Sequence, residues 1–414
     1  MHRRRMAAVA ALVIAPYSGA QALTLAQAQH LLDSRNPEIR LGAAAISSAE
    51  GGLVTAGQSP NPTFSAQTVN IDPDRGIGSG PPSQKTVDST IGLQWLVERG
   101  DKRNRRLGAA QAQLEAVRFD HAEARRSQRL ALNLAYFDLK QAEERVHVMA
   151  DSERLARGQL DIVERRLAAG DAAPLERARL AVESVRAAND ARAAQADLTA
   201  SREALAAILG HAVPAETLSA DDDWPQLGAL PSAVTSDRVA RRPDLLAATA
   251  RESAARGATA VAESQAVRDV TVGAQVEHFP PDMRRSYGVT LSVPLFVNHA
   301  YEGDIARARA DEQTARIGRE RLEAQVKSEA LRARSQLASA QDRLDRLMTS
   351  GMPAAETAAR GVEFAYERGA ATLTDLLDAR RQLRATQFDL VQVRADFARA
   401  LATWRACTEW EQQP

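Results

Sequence analysis

Apolar residues follow two different periods along this chain, one typical of long helices and one typical of β-strands. The helical period is clearest near the end, where an apolar residue recurs every seven positions: Leu376, Leu383, Leu390, Phe397 and Trp404. Residues 322–347 carry a similar three-and-four spacing, and the short turn at 368–371 separates the two rows. Such rows form the seam of a coiled coil. The pattern predicts a hairpin of two long helices over residues 301–408.

The strand period is an alternation of apolar and polar residues in four short stretches. These predicted strands cover residues 63–70, 87–98, 270–277 and 287–295, with loops at 71–86 and 279–285. In the second stretch one face carries Val87, Ile91, Leu93, Trp95 and Val97, and the other carries Asp88, Thr90, Gln94 and Glu98. Three of the four predicted strands therefore have one clean apolar face.

The same order of elements occurs twice, so the chain is a tandem duplication. The turn glycines Gly170 and Gly369 match, and at the same offset Asp190 matches Asp389. The first repeat is predicted at residues 23–209, with a β-hairpin at 58–99 and a helical hairpin at 101–209. The second is predicted at 237–408, with a β-hairpin at 269–297 and a helical hairpin at 301–408. Residues 210–236 form a connector, and residues 409–414 form a C-terminal tail.

Amphipathic strands suit an outer-membrane sheet, in which lipid-facing and lumen-facing residues alternate. A soluble sandwich shows the same alternation more often, but here two isolated strand pairs lie between very long helices. Four strands cannot close a barrel, and an open edge in hydrocarbon leaves costly unpaired backbone groups. Two copies would give eight strands with a filled interior, whereas three would give twelve strands and room for a lumen. We therefore predict a homotrimer.

The first residues predict export. Three arginines at 3–5 precede an apolar run at 7–15, and Ala20-Gln21-Ala22 is a small-x-small cleavage pattern. We predict a signal peptide at 1–22 and a mature chain that starts at Leu23. A retained membrane helix is the alternative, although the run is too short to cross ~30 Å of hydrocarbon. No cysteine lies near the cleavage site, so no lipid anchor is predicted there.

Composition and charge argue against several functions. Of the 414 residues 44% are apolar but only 4% aromatic, which favours helix and coiled coil over a large globular core. Acidic and basic residues are equal at 53 each, so there is no excess positive charge for nucleic acid. No nucleophile motif, phosphate loop or metal-ligand spacing occurs, and we predict no catalysis, cofactor or metal site. Cys407 is predicted to be a buried seam residue and the acidic run 221–223 to be solvated surface.

With these elements in place, the chain resembles the outer-membrane efflux proteins of the TolC type over its whole mature length. The segments that carry the resemblance are Gly369, Thr374-Asp375-Leu376-Leu377-Asp378-Ala379 and the helix start Pro243-Asp244. The resemblance implies a mainly α fold with a β-barrel part. Three protomers would form a twelve-stranded barrel in the outer membrane, continued by a twelve-helix α-barrel tunnel in the periplasm. The implied partners are outer-membrane lipid, a periplasmic adaptor and an inner-membrane pump of the RND type.

Within that family the chain is most similar to the outer-membrane components of heavy-metal systems, the cobalt-zinc-cadmium and copper-silver kind. Glu98-Arg99-Gly100-Asp101-Lys102-Arg103 resembles their Glu-x-Gly-Gly-Lys-Arg turn, and Ser292-Val293-Pro294-Leu295-Phe296 resembles their strand end. Asp101 stands where glycine is usual, and residues 297–301 lack the usual Asn-Arg-Asn-Gln. The resemblance implies export of heavy-metal cations. A duct for drugs or other small molecules is the alternative.

Two groups of candidate site residues lie at the ends of the predicted helical hairpins. The turns Gly170-Asp171 and Gly369-Ala370 are predicted to dock the adaptor, because each is at the end away from the strands. Ordinary helix-turn chemistry, to which glycine is suited, is the alternative. At the other end the basic residues after the second strand are Lys102, Arg103, Arg105 and Arg106. They are predicted to pair with acidic groups or lipid headgroups at the junction with the membrane, the alternative being solvated helix-start charge.

A third group is implied by the resemblance. Asp375 and Asp378 share one face at the start of the last helix, and the family's matching aspartates line the periplasmic aperture. Six carboxylates at one constriction would repel one another, which raises some of their pKa values and attracts cations. Helix capping is the alternative. Some family members close this tip with an arginine where the chain has Ala371, so we predict that Tyr366 or other contacts serve instead.

Two other classes of exported protein share some of these features. A periplasmic adaptor also has an export signal and a coiled-coil hairpin, but it usually carries one hairpin within β-rich soluble domains. A soluble periplasmic scaffold of helices does not explain the amphipathic strands. Recovery in the membrane fraction, rather than as a soluble monomer after osmotic shock, separates the channel from both.

Overall fold

A computed structural model of the chain describes residues 21–409, apart from 75, 82, 83, 231–237, 239 and 280–282. Nearly all of the predicted signal peptide and tail lies outside the described residues. The helices are α1 (Leu25–Arg35), α2 (Pro37–Ala56), α3 (Lys102–Ala168), α4 (Pro174–Ile208), α5 (Pro243–Gln265), α6 (Glu302–Arg346), α7 (Met352–Glu367) and α8 (Leu373–Thr408). The strands are β1 (Gln21–Leu23), β2 (Thr63–Val69), β3 (Asp88–Val97), β4 (Leu218–Ala220), β5 (Val270–Phe279) and β6 (Met283–Ser292).

Two compact units make up the described chain. One, which we call the sheet unit, comprises residues 38–126 and 234–331, and the other, the helical unit, comprises residues up to 37, 127–233 and 332–409. A π-helical turn, Leu347–Gly351, separates α6 from α7. None of the helices in the described residues is both long and apolar enough to cross a membrane.

The sheet unit contains one antiparallel sheet of four strands in the order β2-β3-β5-β6. Its register aligns apolar side chains across the strands into rows, such as Phe64, Leu93, Ala274 and Val289, followed by Ala66, Ile91, Val276 and Tyr287. Tyr287 and Val289 are 78% and 83% exposed in the single chain. Within the described strands, β2 and β6 each pair on one side only. The alternation predicted from the sequence thus produces one continuous, exposed apolar face.

The fourth strand differs from its predicted position. It starts at Met283, before the predicted start at Tyr287, and Phe279 belongs to β5, so the predicted loop at 279–285 is too long. The strand also ends at Ser292 instead of Leu295. Pro294 explains the early end, because proline has no N–H group to donate to a strand ladder.

The start of α5 is fixed by a buried ion-pair network in the sheet unit. Pro243 is the first helical residue, a position where its missing N–H costs nothing. The buried Arg242 guanidinium lies 2.6 Å from Asp244 Oδ2 and 2.9 Å from Glu329 Oε2. Arg242 therefore joins the first turn of α5 to α6.

The helical unit is built on the apolar seam. Leu337, Ala340 and Leu344 on α6 are buried, as are Leu376, Phe397 and Trp404 on α8, whereas Leu383 and Leu390 are half-buried. Cys407 is also buried, which confirms its predicted seam position. Packing of these rows, rather than local propensity, supplies most of the stability of long helices.

A two-stranded parallel sheet of β1 and β4 was not predicted. Leu23 pairs with Ala220, and the hydroxyl of the fully buried Tyr136 lies 2.9 Å from the Leu23 carbonyl oxygen. Asp222 Oδ2 accepts a hydrogen bond of 2.6 Å from the Leu25 N–H and lies 3.0 Å from the Tyr136 hydroxyl. The prediction of a solvated acidic run is therefore wrong for Asp222. Its half-buried carboxylate ties the connector to α1 and α3.

Candidate functional site

The two hairpin turns have the same hydrogen-bond pattern. In each, the glycine N–H binds the carbonyl three residues back at 3.0 Å, and the next N–H binds the carbonyl five residues back at 2.8 Å. This pair of bonds is the Schellman motif, which needs a left-handed residue. Gly170 has φ +86° and Gly369 has φ +74°. An added Cβ would meet nothing within 4 Å at either glycine, so the backbone, not the available space, calls for glycine.

The helices that follow the two turns begin differently. Pro174 opens α4, and its N-cap residue Ala173 makes no side-chain cap. By contrast, Thr372 caps α8 through a capping box with Asp375. The Asp375 carboxylate accepts hydrogen bonds from the Thr372 N–H at 2.9 Å and the Thr372 hydroxyl at 2.7 Å. The capping alternative considered above is thus what Asp375 does in the single chain.

This capping also sets the ionisation of Asp375. Hydrogen bonds from the Thr372 hydroxyl and then from the Thr372 N–H lower the pKa of the Asp375 carboxyl below its ordinary value. The rise expected from repulsion concerns six carboxylates in an assembled trimer, and it stays a prediction. Because a lowered pKa keeps the group ionised, Asp375 carries a full negative charge at neutral pH.

Asp378 belongs to a chain of ion pairs that leads to the first helical hairpin. Asp378 is exposed, and its Oδ1 lies 3.3 Å from Arg381 NH1. Arg381 NH2 donates to Glu183 Oε2 on α4 at 3.0 Å, and Arg384 NH1 lies 3.6 Å from the other Glu183 oxygen. The Glu183 carboxylate is buried, which strengthens its interaction with both arginines.

Tyr366 also contacts α4. Its hydroxyl lies 3.4 Å from Glu176 Oε1, and Arg166 NH1 lies 3.9 Å from the same oxygen. Arg179 NH1 donates to Thr374 Oγ1 at 3.2 Å. These side chains line a groove of about 760 Å³ beside the Gly369 turn. The structure thus brings Tyr366 into contact with the first hairpin of its own chain.

Sequence reasoning missed Glu176, Glu183, Arg179 and Arg381. One signal was available, because Glu176 and Glu183 are spaced by one heptad and so lie on one face of α4. Their partners, Tyr366 on α7 and Arg381 on α8, were not foreseeable from any local period.

The basic residues after β3 have different partners, all within the sheet unit. Lys102 is buried, and its Nζ lies 2.7 Å from Asp269 Oδ2, whose other oxygen accepts from the Arg99 N–H at 2.9 Å. Arg106 binds both oxygens of Glu98, and this hydrogen bonding raises the pKa of Arg106. The predicted pairing with acidic groups is found for these two.

The other two basic residues bind the backbone instead. Arg103 Nε donates to the Gly57 carbonyl, and Arg105 NH1 donates to the Ala260 carbonyl at 2.9 Å. All four cations therefore hold segments of the sheet unit together, and the solvated alternative does not describe Lys102 or Arg106.

The turn between β3 and α3 explains the departure at Asp101. Gly100 has φ +69° and Asp101 has φ +60°, so both take the left-handed conformation. A Cβ at Gly100 would lie 2.7 Å from Val267 Cβ, which excludes any larger residue. Aspartate tolerates the left-handed region better than most residues, and the Asp101 carboxylate accepts from Asn104 Nδ2 at 2.6 Å. Both residues of the turn thus adopt a conformation that glycine favours.

In the part of the chain that the structure describes, no group of three or more His, Cys, Asp and Glu side chains is placed to hold a metal ion.

Comparison with known proteins gives a consistent result. The family model described as outer membrane efflux protein matches residues 28–211 and 234–408. The cobalt-zinc-cadmium resistance protein CzcC of Cupriavidus metallidurans is 26% identical over 371 residues, which are 89% of this chain and 85% of that protein.

Solved structures share the fold. The outer-membrane channel OprN has a TM-score of 0.79 at 21% identity, covering 94% of this chain and 91% of its own. CusC has a TM-score of 0.79 at 14% identity, and the match covers 99% of this chain and 98% of the CusC chain. The CusC structures are described as showing changes that accompany folding and transmembrane channel formation. The outer membrane protein VceC of Vibrio cholerae has a TM-score of 0.75 at 19% identity, covering 94% and 97%.

Proposed function

The chain belongs to the outer membrane efflux protein family, and we propose that three copies of it form the exit duct of a tripartite efflux system. As a member of that family it is an outer-membrane efflux channel and not an enzyme. The proposed duct is a barrel of twelve strands continued by a periplasmic tunnel of twelve helices. Its proposed partners are a periplasmic adaptor and an inner-membrane pump of the RND type.

The main support for the proposed trimer is the four-stranded sheet, which has open edges and one exposed apolar face. Among the described strands β2 and β6 have one unpaired edge each, and the apolar face is exposed. In hydrocarbon an unpaired strand edge costs several kcal/mol per backbone group. Pairing β6 of one copy with β2 of the next satisfies both edges, and three copies leave a lumen where two do not. A soluble monomer after osmotic shock would contradict this proposal.

We propose heavy-metal cations as the exported solute. The support is the likeness to a protein named for cobalt-zinc-cadmium resistance. Deleting the gene should sensitise the cell to divalent metals, and a plasmid copy should restore resistance. Sensitivity to dyes and antibiotics instead would favour the small-molecule duct of the same family.

The carboxylates at the start of α8 are proposed to line the periplasmic aperture. In planar bilayers Asp375→Ala with Asp378→Ala should lose cation preference and block by divalent cations, because a ring of charge at a constriction concentrates counter-ions. Unchanged conductance, selectivity and block would show that these carboxylates only cap a helix.

Thr372→Ala is the matched control for this double variant. It removes the N-cap side chain, at a cost of about 1 kcal/mol, but leaves both carboxylates in place. Selectivity and block should therefore survive in Thr372→Ala. Their loss in that variant would assign the effect to the fold of the helix start.

The closed tip is proposed to depend on contacts between the two hairpins. Tyr366 with Glu176 links α7 to α4, and Arg381 with Glu183 links α8 to α4. These contacts would serve in place of the arginine that some relatives have at the position of Ala371.

A further inference from the structure

The central rows on the polar face of the sheet carry little charge. Three consecutive rows are set by the register: Thr63, Gln94, Gly273 and Thr290; then Ser65, Gly92, Gln275 and Gly288; then Gln67, Thr90, Glu277 and Ser286. Glu277 is the single ionisable side chain in these rows. Asp88 follows at the strand end, where Asn70 binds its carboxylate.

The Glu277 carboxylate is held by neutral donors. Gln275 Nε2 donates to Oε1, and Ser286 Oγ donates to Oε2 at 3.1 Å. Neither donor carries a charge, so these contacts orient the carboxylate without cancelling its charge.

Neighbouring side chains lie flat along the same face. A Cβ at Gly273 would clash with Thr290 Oγ1, and one at Gly288 would lie 3.0 Å from Gln275 Cγ. Gly92 is in a similar position, with Ser65 Oγ 2.9 Å from its would-be Cβ. The glycines therefore let the longer side chains pack against the sheet, which leaves a surface of low relief around Glu277.

We propose that Glu277 is a selectivity-determining residue of the duct. This rests on the proposed trimer, which closes the sheet with its polar face inward. Three copies then place a ring of three carboxylates beside the neutral, hydrogen-bonding rows given above. A ring of fixed negative charge between low-dielectric walls raises the local concentration of cations and lowers that of anions. This ring favours cations at a point in the barrel that is separate from the aspartates at the start of α8.

The test is ion selectivity in planar bilayers under a KCl gradient. Glu277→Gln should lower the cation-to-anion permeability ratio about threefold while the channel still conducts. Glu277→Gln combined with Gln67→Glu should restore the ratio, because Gln67 lies in the same row on β2. The swap keeps the charge of the ring but removes its hydrogen bonds to Gln275 and Ser286.

The two variants test whether the charge of the ring, and not the hydrogen bonds of Glu277, sets the selectivity. An unchanged ratio in Glu277→Gln overturns the proposal, and so does a swap that conducts but fails to restore the ratio. If the wild-type protein forms no ion-conducting trimer, the proposed duct is wrong. The proposed role of Glu277, which rests on it, is then wrong as well.

A second variant guards against poor assembly. In Glu277→Cys channels already inserted in the bilayer, a sulfonate thiol reagent should raise the ratio and an ammonium reagent should lower it. The chain's own cysteine, Cys407, is buried, so the wild-type channel is the control. Equal ratios after the two reagents, with labelling confirmed by mass spectrometry, would overturn the proposal.

Discussion

Glutamate in place of Gly369 should abolish export while leaving the protein assembled in the outer membrane. The turn points into open space, so the new side chain meets no atom of its own chain. The left-handed backbone adds a local strain of about 1–2 kcal/mol, which is too small to unfold a long helical hairpin. A long charged side chain on the proposed adaptor-docking surface should, however, prevent close approach of the partner. Metal resistance and trimer yield in a deletion strain are the measurements.

The matched controls separate docking from turn geometry. Gly369→Asn adopts the left-handed conformation with little strain and carries no charge, so it should retain export. Gly361→Glu places the same side chain on an exposed, open position of α7, and it should also retain export. Normal resistance in Gly369→Glu would refute docking at this turn. Loss in Gly369→Asn as well would assign the effect to the turn itself.

Gly170 tests the duplication of this site. Its turn has the same two hydrogen bonds and the same open surroundings as that of Gly369. If both turns dock the adaptor, Gly170→Glu should impair export in the same way, with Gly170→Asn as its control.

Long helices and hairpin turns were predictable because their signals are local. The heptad row on α8 and the glycine before each new helix start follow directly from helical geometry, and Trp404 is buried as the row requires. The end of β6 could have been placed from Pro294 alone. The β1–β4 sheet could not be predicted, because strands of three residues are too short to show a period. The contacts of Asp222 with Leu25 and Tyr136 could not be predicted either, because they depend on the tertiary fold.

The candidate sites were harder to predict. The sequence left two interpretations of Asp375 open, a carboxylate that lines the aperture and a helix cap. The structure shows the capping box, which needs no residue of another copy. Arg381 with Glu183 and Lys102 with Asp269 join residues far apart in sequence. Such pairs depend on which helices and strands come together, and no local pattern encodes that.

Alanine in place of Asp269 should cause the largest loss of stability among changes at the junction of strands and helices. The Lys102 side chain is 5% exposed, and Asp269 is its ion-pair partner. Removing the carboxylate leaves a buried charge unpaired, which costs about 3 kcal/mol or more, and it also frees the Arg99 N–H. The heat resistance of the trimer on denaturing gels, and its yield in the membrane, should both fall.

An exposed pair in the same unit is the control for Asp269. Arg118 lies 3.2 Å from Glu50, with both side chains more than half exposed. Glu50→Ala should therefore cost only about 0.5 kcal/mol, as is typical of a surface pair, and leave heat resistance unchanged. Equal behaviour of Asp269→Ala and Glu50→Ala would show that Lys102 is solvated in the assembled protein.

A double variant distinguishes loss of the pair from burial of an unpaired charge. Lys102→Met alone leaves Asp269 with the Arg99 N–H and a partly exposed carboxylate, so it should cost less than Asp269→Ala. Lys102→Met with Asp269→Ala removes both charges and should recover most of the heat resistance, because apolar replacement of a buried pair is often neutral. If the two losses simply added, the stability would come from separate contacts of each side chain and not from their charge pair.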